Sequence, residues 1–171
     1  MHKVMSRKYG SKRRKLLMLF SWAAVLLWLG LIFNFSSQAA DNSAALSTGL
    51  TRMIVGVLAK VAPAAYFDLS QVEHLLRKNA HFFVYLVLGI LVINAKRRSG
   101  LKGWKWFFLA LGFGVLYAVS DEIHQLYVPG RSGQIRDILI DGAGVLAGSI
   151  IYKTVSFVRA RRRLAAVRKT S

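Results

Sequence analysis

The sequence predicts an all-α, polytopic membrane protein, a four-helix bundle with an additional amphipathic helix that lies in the membrane interface. Apolar residues make up 54% of the 171-residue chain and are gathered in runs that approach the ~20 residues a helix needs to cross a bilayer. The chain has 25 Lys and Arg against 7 Asp and Glu, and most of the basic residues stand in blocks between those runs. A soluble nucleic-acid-binding protein would instead distribute its basic residues along polar segments, so we expect no nucleic-acid partner.

Four runs are predicted to form membrane-spanning helices. We place the spans at about 16–35, 77–96, 104–127 and 136–156. The first run is longer than the ~7–15-residue apolar core of a secretory signal, so we expect it to remain as a span. The membrane domain is then 16–156, between a basic segment at 1–15 and a basic tail at 157–171.

A weaker run at about 44–62 has the pattern of a helix that lies in the interface. Its apolar residues fall on one stripe at helical spacing, while Thr48 and Arg52 lie on the opposite side. The stripe consists of Leu46, Leu50, Met53, Val57 and Val61. Such a helix rests among the lipid headgroups with its apolar side buried, so we do not count it as a fifth span.

The basic blocks predict which way the spans face. Segments 1–15, 96–105 and 153–171 hold seven, five and seven Lys and Arg, and none of them holds an acid. Because short cytoplasmic segments of membrane proteins are enriched in Lys and Arg, we expect both termini and the middle linker in the cytoplasm. Membrane lipids with anionic headgroups are expected partners of these segments.

Polar residues at the other ends of the spans are predicted to gather at the extracytoplasmic face. Water is scarce at that depth, so ionisable groups should turn toward one another. Ser70 and Glu73 predict a capping box that starts the second helix near Gln71. Residues three or four apart share a helix face. The faces are Lys78, His81 and Tyr85 on the second helix, Tyr117, Asp121, His124 and Gln125 on the third, and Asp137 and Asp141 on the fourth.

Two glycines on the fourth helix predict close packing below these acids. Gly144 and Gly148 continue the face of Asp141 as a ridge of small residues, which lets a neighbouring helix approach and draws the carboxylates against its His and Lys.

Glu122 lies roughly 100° around the third helix from Asp121. We therefore predict that Glu122 is a solvated charge at the helix end.

Several short motifs follow one another in this part of the chain. They are Phe35-Ser36-Ser37-Gln38, Lys78-x-x-His81-Phe82-x-x-Tyr85, Ser120-Asp121-Glu122-x-His124-Gln125, Pro129-Gly130-Arg131, Asp137 and Gly144-x-x-x-Gly148. This set resembles the VanZ-like family, over about residues 20–152. The resemblance implies an integral protein of the bacterial cell membrane and a link to low-level resistance to teicoplanin, a lipid-bearing glycopeptide antibiotic. It does not supply a biochemical activity.

The residues leave the use of the polar face open between catalysis and binding. In a membrane-embedded hydrolase or transferase acting on a phospholipid or a polyprenyl-linked wall precursor, Asp121 would orient His124 as general base, with His81 as partner acid. In a binding protein, the face would hold a lipid headgroup or the polar part of a lipoglycopeptide, with a cationic rim for phosphate. The candidate ligand-binding residues are Lys78, Tyr85, Tyr117, Gln125, Arg131, Asp137 and Asp141, Arg131 being placed by the Pro-Gly turn before it.

Two further interpretations concern the same side chains. With no cysteine in the chain, a metal site here would be formed by Asp137 and Asp141 with His81 and His124. The residue types do not decide whether a metal or another cofactor is bound. Alternatively, the charged residues form a buried ion-pair network that only holds the helices in register. Transport is less favoured, because Asn94 is the main polar residue in the inner halves of the spans.

Overall fold

The computed structural model describes residues 2–38, 48–49, 51–57, 60, 68–101, 103–131 and 133–170, with the side chains of 2–11 and 169–170 excluded. Four long helices form the bundle. They are α1 (His2–Ser36), α2 (Leu69–Arg98), α3 (Trp104–Gln125) and α4 (Ile135–Thr170). Each contains a segment long and apolar enough to cross a membrane. The predicted all-α bundle of four spans is confirmed, and α1 and α4 continue as helix through the basic segments that flank the spans.

The start of α2 differs from the predicted capping box. Asp68 is the N-cap, and its Oδ1 accepts hydrogen bonds from the backbone N–H of Ser70 at 2.9 Å and from the Ser70 hydroxyl at 2.7 Å. These bonds hold the pKa of Asp68 below its usual value. The prediction of a Ser70–Glu73 box was wrong because aspartate caps a helix as well as serine does, and an Asp lies two residues earlier. Glu73 instead accepts a hydrogen bond from the Thr48 hydroxyl at 3.0 Å.

The segment predicted to lie in the interface is helical where the structure describes it, at 48–49, 51–57 and 60. Its polar side faces the protein, since Thr48 bonds Glu73 of α2 and Thr51 is fully buried. Met53 and Val57, on the predicted apolar stripe, are 70% and 55% exposed. The other stripe residues, Leu46, Leu50 and Val61, lie outside the described residues. An apolar side turned away from the bundle is what an interfacial helix offers to lipid.

The most extensive helix contact is between α2 and α4, which run in the same direction. Small residues make it possible. A Cβ at Gly144 would clash with the carbonyl oxygen of Phe82, and one at Gly148 would clash with that of Leu86. The predicted ridge of small residues is therefore confirmed as the line along which the two backbones meet.

Helices α1 and α3 pack against this pair. Val25 and Ile32 of α1 belong to the buried core, and the Trp28 indole donates a hydrogen bond to the Val84 carbonyl of α2 at 2.9 Å. Large apolar side chains cover much of the outside of the bundle. Phe20, Leu27 and Leu116 are among those largely exposed, which is the surface expected of helices surrounded by lipid.

Short turns connect the later helices. In the α3–α4 connection, the N–H of Arg131 donates to the Val128 carbonyl at 3.1 Å, and Gly130 has φ of 75°. Proline followed by a positive-φ glycine is the arrangement of a type II turn. The turn sends the chain back over the end of α3 and thereby positions the first turn of α4.

Candidate functional site

Two contacts between a basic and an acidic side chain join α2 to α4 at the end of the bundle where both helices begin, and the one that contains His81 is an ion pair when that ring is protonated. Lys78 Nζ lies 3.8 Å from Asp137 Oδ1, and His81 Nδ1 lies 3.6 Å from Asp141 Oδ1. Lys78 and His81 are three residues apart on α2, and Asp137 and Asp141 are four apart on α4. Because the two helices are parallel, the second pair lies about one helical turn beyond the first. The contact between these helices brings the opposing charges together, as the sequence predicted.

Helix α3 adds a third carboxylate to these pairs. Asp121 is only 5% exposed and interacts electrostatically with His81 of α2, as Asp137 and Asp141 also do. Tyr85, one turn below His81, is completely buried and interacts with both Asp121 and Asp141. We refer to the residues that converge here as the polar cluster. It consists of Lys78, His81, Tyr85, Asp121, Asp137 and Asp141.

Several atoms of the polar cluster are buried without a hydrogen-bond partner among the described residues. Both carboxylate oxygens of Asp141 are in this state, with Oδ1 of Asp121 and of Asp137 and the hydroxyl of Tyr85. A buried polar group that makes no hydrogen bond costs about 1–3 kcal/mol, and such groups in native proteins call for an explanation. Four helix-borne acceptors and one phenolic donor in one place provide bonding capacity for water, a cation or a ligand with its own polar groups.

His124 lies apart from the polar cluster, at the end of α1. Its ring stacks on Phe33 with a centroid separation of 4.6 Å, and its Nε2 is 3.1 Å from the Ser37 hydroxyl. The proposed Asp121–His124 dyad is therefore not formed. The two residues do lie on one side of α3, but Asp121 turns toward α2 and α4 while His124 turns toward α1.

Arg131 also contacts the end of α1, so it does not form the free cationic rim that was expected from the sequence. Its Nε donates to the carbonyl of Gln38 at 3.0 Å and its Nη2 to the carbonyl of Phe35 at 3.2 Å. Carbonyls at a helix C-terminus have no partner within the helix, so a guanidinium stabilises them. Burial and the nearby Arg77 lower the pKa of Arg131, and Asp121 is close enough to oppose that effect. The side chain thus ties the α3–α4 turn to α1 while remaining near the cluster.

The two other residues predicted from α3 have different surroundings. The Tyr117 hydroxyl donates to the Leu29 carbonyl of α1 at 2.7 Å, so it holds two helices together. Its ring centroid is 6.5 Å from that of Tyr85. Gln125 is buried, and its amide nitrogen has no hydrogen-bond partner in the described part of the chain. The amide nitrogen of Gln125 therefore remains available as a donor, whereas the single hydroxyl hydrogen of Tyr117 is already donated.

The geometry does not favour the metal site considered from the sequence. Among the residues the structure describes, no three His, Asp or Glu side chains are grouped so that they could hold one metal ion. His124 contacts α1, which leaves Asp137 and Asp141 with a single histidine. The cluster has a different composition, in which a lysine and a histidine face three carboxylates.

A comparison with protein families identifies the chain at this point. A model of the VanZ/LLP1 family matches residues 20–158, which includes the second and third apolar spans, most of the first and fourth, and every residue of the polar cluster. The chain belongs to the VanZ/LLP1 family. No curated protein and no solved structure gives a significant match. The resemblance inferred from the motifs is thereby confirmed, and the chain is a four-helix membrane protein of this family.

One acid of this VanZ/LLP1 protein has a place that the sequence prediction missed. Glu122 is 5% exposed and accepts a hydrogen bond from the backbone N–H of Gln134, just before α4. The prediction of a solvated charge was wrong because the Pro-Gly turn folds the chain back over this side of α3. Gly133 lies against Leu126 and the Glu122 carbonyl there. The turn itself was the available indication that the helix end would be covered.

Proposed function

We propose that this protein binds the polar headgroup of a lipid-linked cell-envelope ligand in the polar cluster. The observation that carries the proposal is the set of buried acceptors beside Lys78 and His81 that have no hydrogen-bond partner among the described residues. A ligand with both an anionic group and hydroxyl or amide donors would use the cations and the carboxylates together. Phosphosugar and glycopeptide headgroups have this composition.

We further propose that the cluster faces the extracytoplasmic side. Lys and Arg are concentrated at the opposite end of the bundle, and cytoplasmic segments carry this excess in membrane proteins. The family resemblance adds a link to teicoplanin, whose acyl chain and polar peptide would reach the same depth of the outer leaflet. We therefore propose that ligand binding at the cluster contributes to low-level glycopeptide resistance.

The experiment uses Tyr85→Phe, which removes only the unpaired hydroxyl. Purified protein in detergent micelles is titrated with a polyprenyl phosphate or with teicoplanin, and thermal unfolding is followed. A ligand at 100 times its Kd stabilises the folded state by about 2.7 kcal/mol. We expect the variant to unfold at the same or a higher temperature without ligand, because an unsatisfied group has been removed. The ligand-induced rise should shrink, since a hydrogen bond to a charged group contributes about 1.5–3 kcal/mol.

The matched control is Tyr152→Phe at the other end of α4, where the hydroxyl donates to Asn94 Oδ1 at 2.9 Å. This variant should lose stability and keep the full response to teicoplanin. Lys78→Met and His81→Gln test the cationic side of the cluster. The proposal is contradicted if neither probe stabilises the wild-type protein, or if all three cluster variants respond as the wild type does.

Catalysis is a second candidate, and one contact favours it. The fully buried Asp141 lies beside the imidazole of His81, an arrangement in which the acid fixes the ring and stabilises its protonated form. The contact with Asp141 supports His81, rather than His124, as the general base of this candidate. In the same titration, turnover would appear as conversion of polyprenyl phosphate and water into polyprenol and inorganic phosphate, and His81→Gln would reduce this release far more than it weakens binding. Unchanged probe after prolonged incubation counts against this candidate.

A further inference from the structure

A groove between α2 and α4 lies at the opposite end of the bundle from the polar cluster. Its volume is about 640 Å³, and arginines from both helices line it. We refer to it as the arginine groove, after Arg97, Arg98, Arg159 and Arg163. It belongs to the part of α4 that continues beyond the core, so it is open to the surroundings of the bundle.

Neutral groups hold two of these guanidiniums in place. Arg97 Nη1 donates to the Ser156 hydroxyl at 2.5 Å, and Arg98 Nε donates to Asn94 Oδ1 at 3.4 Å. The same Asn94 oxygen accepts the Tyr152 hydroxyl at 2.9 Å. Because these partners carry no charge, they orient the arginines without neutralising them.

No acidic side chain is available in sequence to compensate the groove. Residues 74–120 and 142–171 contain neither Asp nor Glu, and these segments include all of the groove's lining. On α4, Arg159 and Arg163 follow Ser156 at spacings of three and four, so they continue its helix face. Four guanidiniums on one groove therefore present a concentrated positive potential, and the segments that line it contain no carboxylate side chain.

The groove also has apolar flanks. Val155 and Leu164 line it, and they are 42% and 68% exposed. Guanidinium groups bind phosphate through paired N–H donors, and exposed aliphatic side chains beside them suit an acyl chain. A diphosphate or a nucleotide would use the arginines and would have no use for the apolar flanks.

We propose that the arginine groove binds the phosphate headgroup of an anionic phospholipid. The proposal is independent of the ligand at the polar cluster, although assignment to the inner leaflet rests on the proposed orientation. An excess of Lys and Arg at this end of the bundle would be enough to orient the protein in the membrane, whatever the positions of the side chains. Positioned guanidiniums on a defined groove instead predict a stoichiometric site with headgroup preference.

Native mass spectrometry of the full-length protein in detergent tests this site. The probes are phosphatidylglycerol and phosphatidylcholine with identical acyl chains, and glycerol phosphate as the soluble competitor. Arg159→Gln with Arg163→Gln removes two groove cations. Arg161→Gln with Arg168→Gln is the matched control, because both residues lie on the opposite side of α4 and the loss of charge is equal. Size-exclusion chromatography confirms that both double variants are folded.

We expect one tightly retained phosphatidylglycerol per chain, at least about tenfold weaker binding in the groove variant and less than a twofold change in the control. Ser156→Ala, which frees Arg97 without removing charge, should weaken binding severalfold. Equal losses in the two double variants would overturn the proposal in favour of diffuse charge. Equal retention of phosphatidylcholine would show that the groove does not prefer an anionic headgroup. Competition by glycerol phosphate at matching concentration would show that the groove binds a soluble phosphate ester instead of a lipid.

Discussion

The two ends of the α2–α4 interface handle charge in opposite ways. At the polar cluster, three carboxylates face Lys78 and His81 and are largely removed from solvent. At the arginine groove, the guanidiniums of Arg97 and Arg98 bond the neutral side chains of Ser156 and Asn94. One end thus buries charge of both signs, and the other exposes charge of a single sign.

The difference follows from what each end must pack against. Close approach at Gly144 and Gly148 excludes solvent from the beginning of α4, so an ionised group there needs a partner. Beyond the core, α4 continues as an exposed helix, and its cations remain hydrated without one. A buried charge is therefore sensitive to the loss of its partner, while an exposed charge is not.

Asp141→Ala should have the largest effect on stability. Asp141, at 1% side-chain exposure, is the buried member of its pair with His81, and removing one member of a buried pair costs about 3–5 kcal/mol. Asp137→Ala, whose pair with Lys78 is partly exposed, should cost about 1 kcal/mol or less. The unfolding free energy in a denaturing-detergent titration measures both. An Asp141→Ala protein as stable as the wild type would show that the pair does not hold the helices, and would leave ligand binding as the reason for the buried acid.

Gly148→Ala should have a smaller effect that reaches both ends. The added methyl group would meet the Leu86 carbonyl, and overpacking of this kind costs about 1–3 kcal/mol. Separation of α2 from α4 should weaken the polar cluster and the arginine groove together. Gly112→Ala on α3 is the control, since nothing lies within 4 Å of its added Cβ. A loss of ligand binding at only one of the two sites would mean that the polar cluster and the arginine groove do not both depend on this helix contact.

Helical spacing was sufficient to predict some of this arrangement. The bundle, the glycine ridge and the meeting of Lys78 and His81 with the acids of α4 all follow from apolar runs and residues three or four apart. On α2, Gly89 completes the ridge by accommodating the Val145 carbonyl, and it was not singled out. A glycine within one apolar run gives no indication of which helix it will meet.

The direction in which each face turns could not be predicted in the same way. Spacing relates Asp121 to His124 within α3, but the position of α1 decides that His124 contacts Phe33. The burial of Glu122 likewise depends on a loop folding back over the helix end. Both outcomes depend on tertiary packing between segments distant in sequence, which periodicity within one helix does not contain.

The smallest effect is expected from Lys153→Met near the arginine groove. The Lys153 ammonium lies 3.7 Å from the ring centroid of Trp104 and 3.9 Å from that of Phe107. An exposed cation–π contact contributes about 0.5–1 kcal/mol, and a methionine sulfur makes favourable contacts of comparable size with aromatic rings. The net change in unfolding free energy should therefore stay below about 1 kcal/mol.

The same substitution at the other end, Lys78→Met, sharpens the comparison. It would leave Asp137 beside the other carboxylates of the polar cluster with no neighbouring ammonium, so it should cost more than Lys153→Met in the same titration. In Lys153→Met the aromatic rings only lose an attraction to a cation. In Lys78→Met the partly buried carboxylate loses its cation and is also repelled by the neighbouring carboxylates. If the two lysine variants are equally stable, the carboxylates at the polar cluster do not depend on Lys78, and the contrast between the ends would rest on Asp141 and His81 alone.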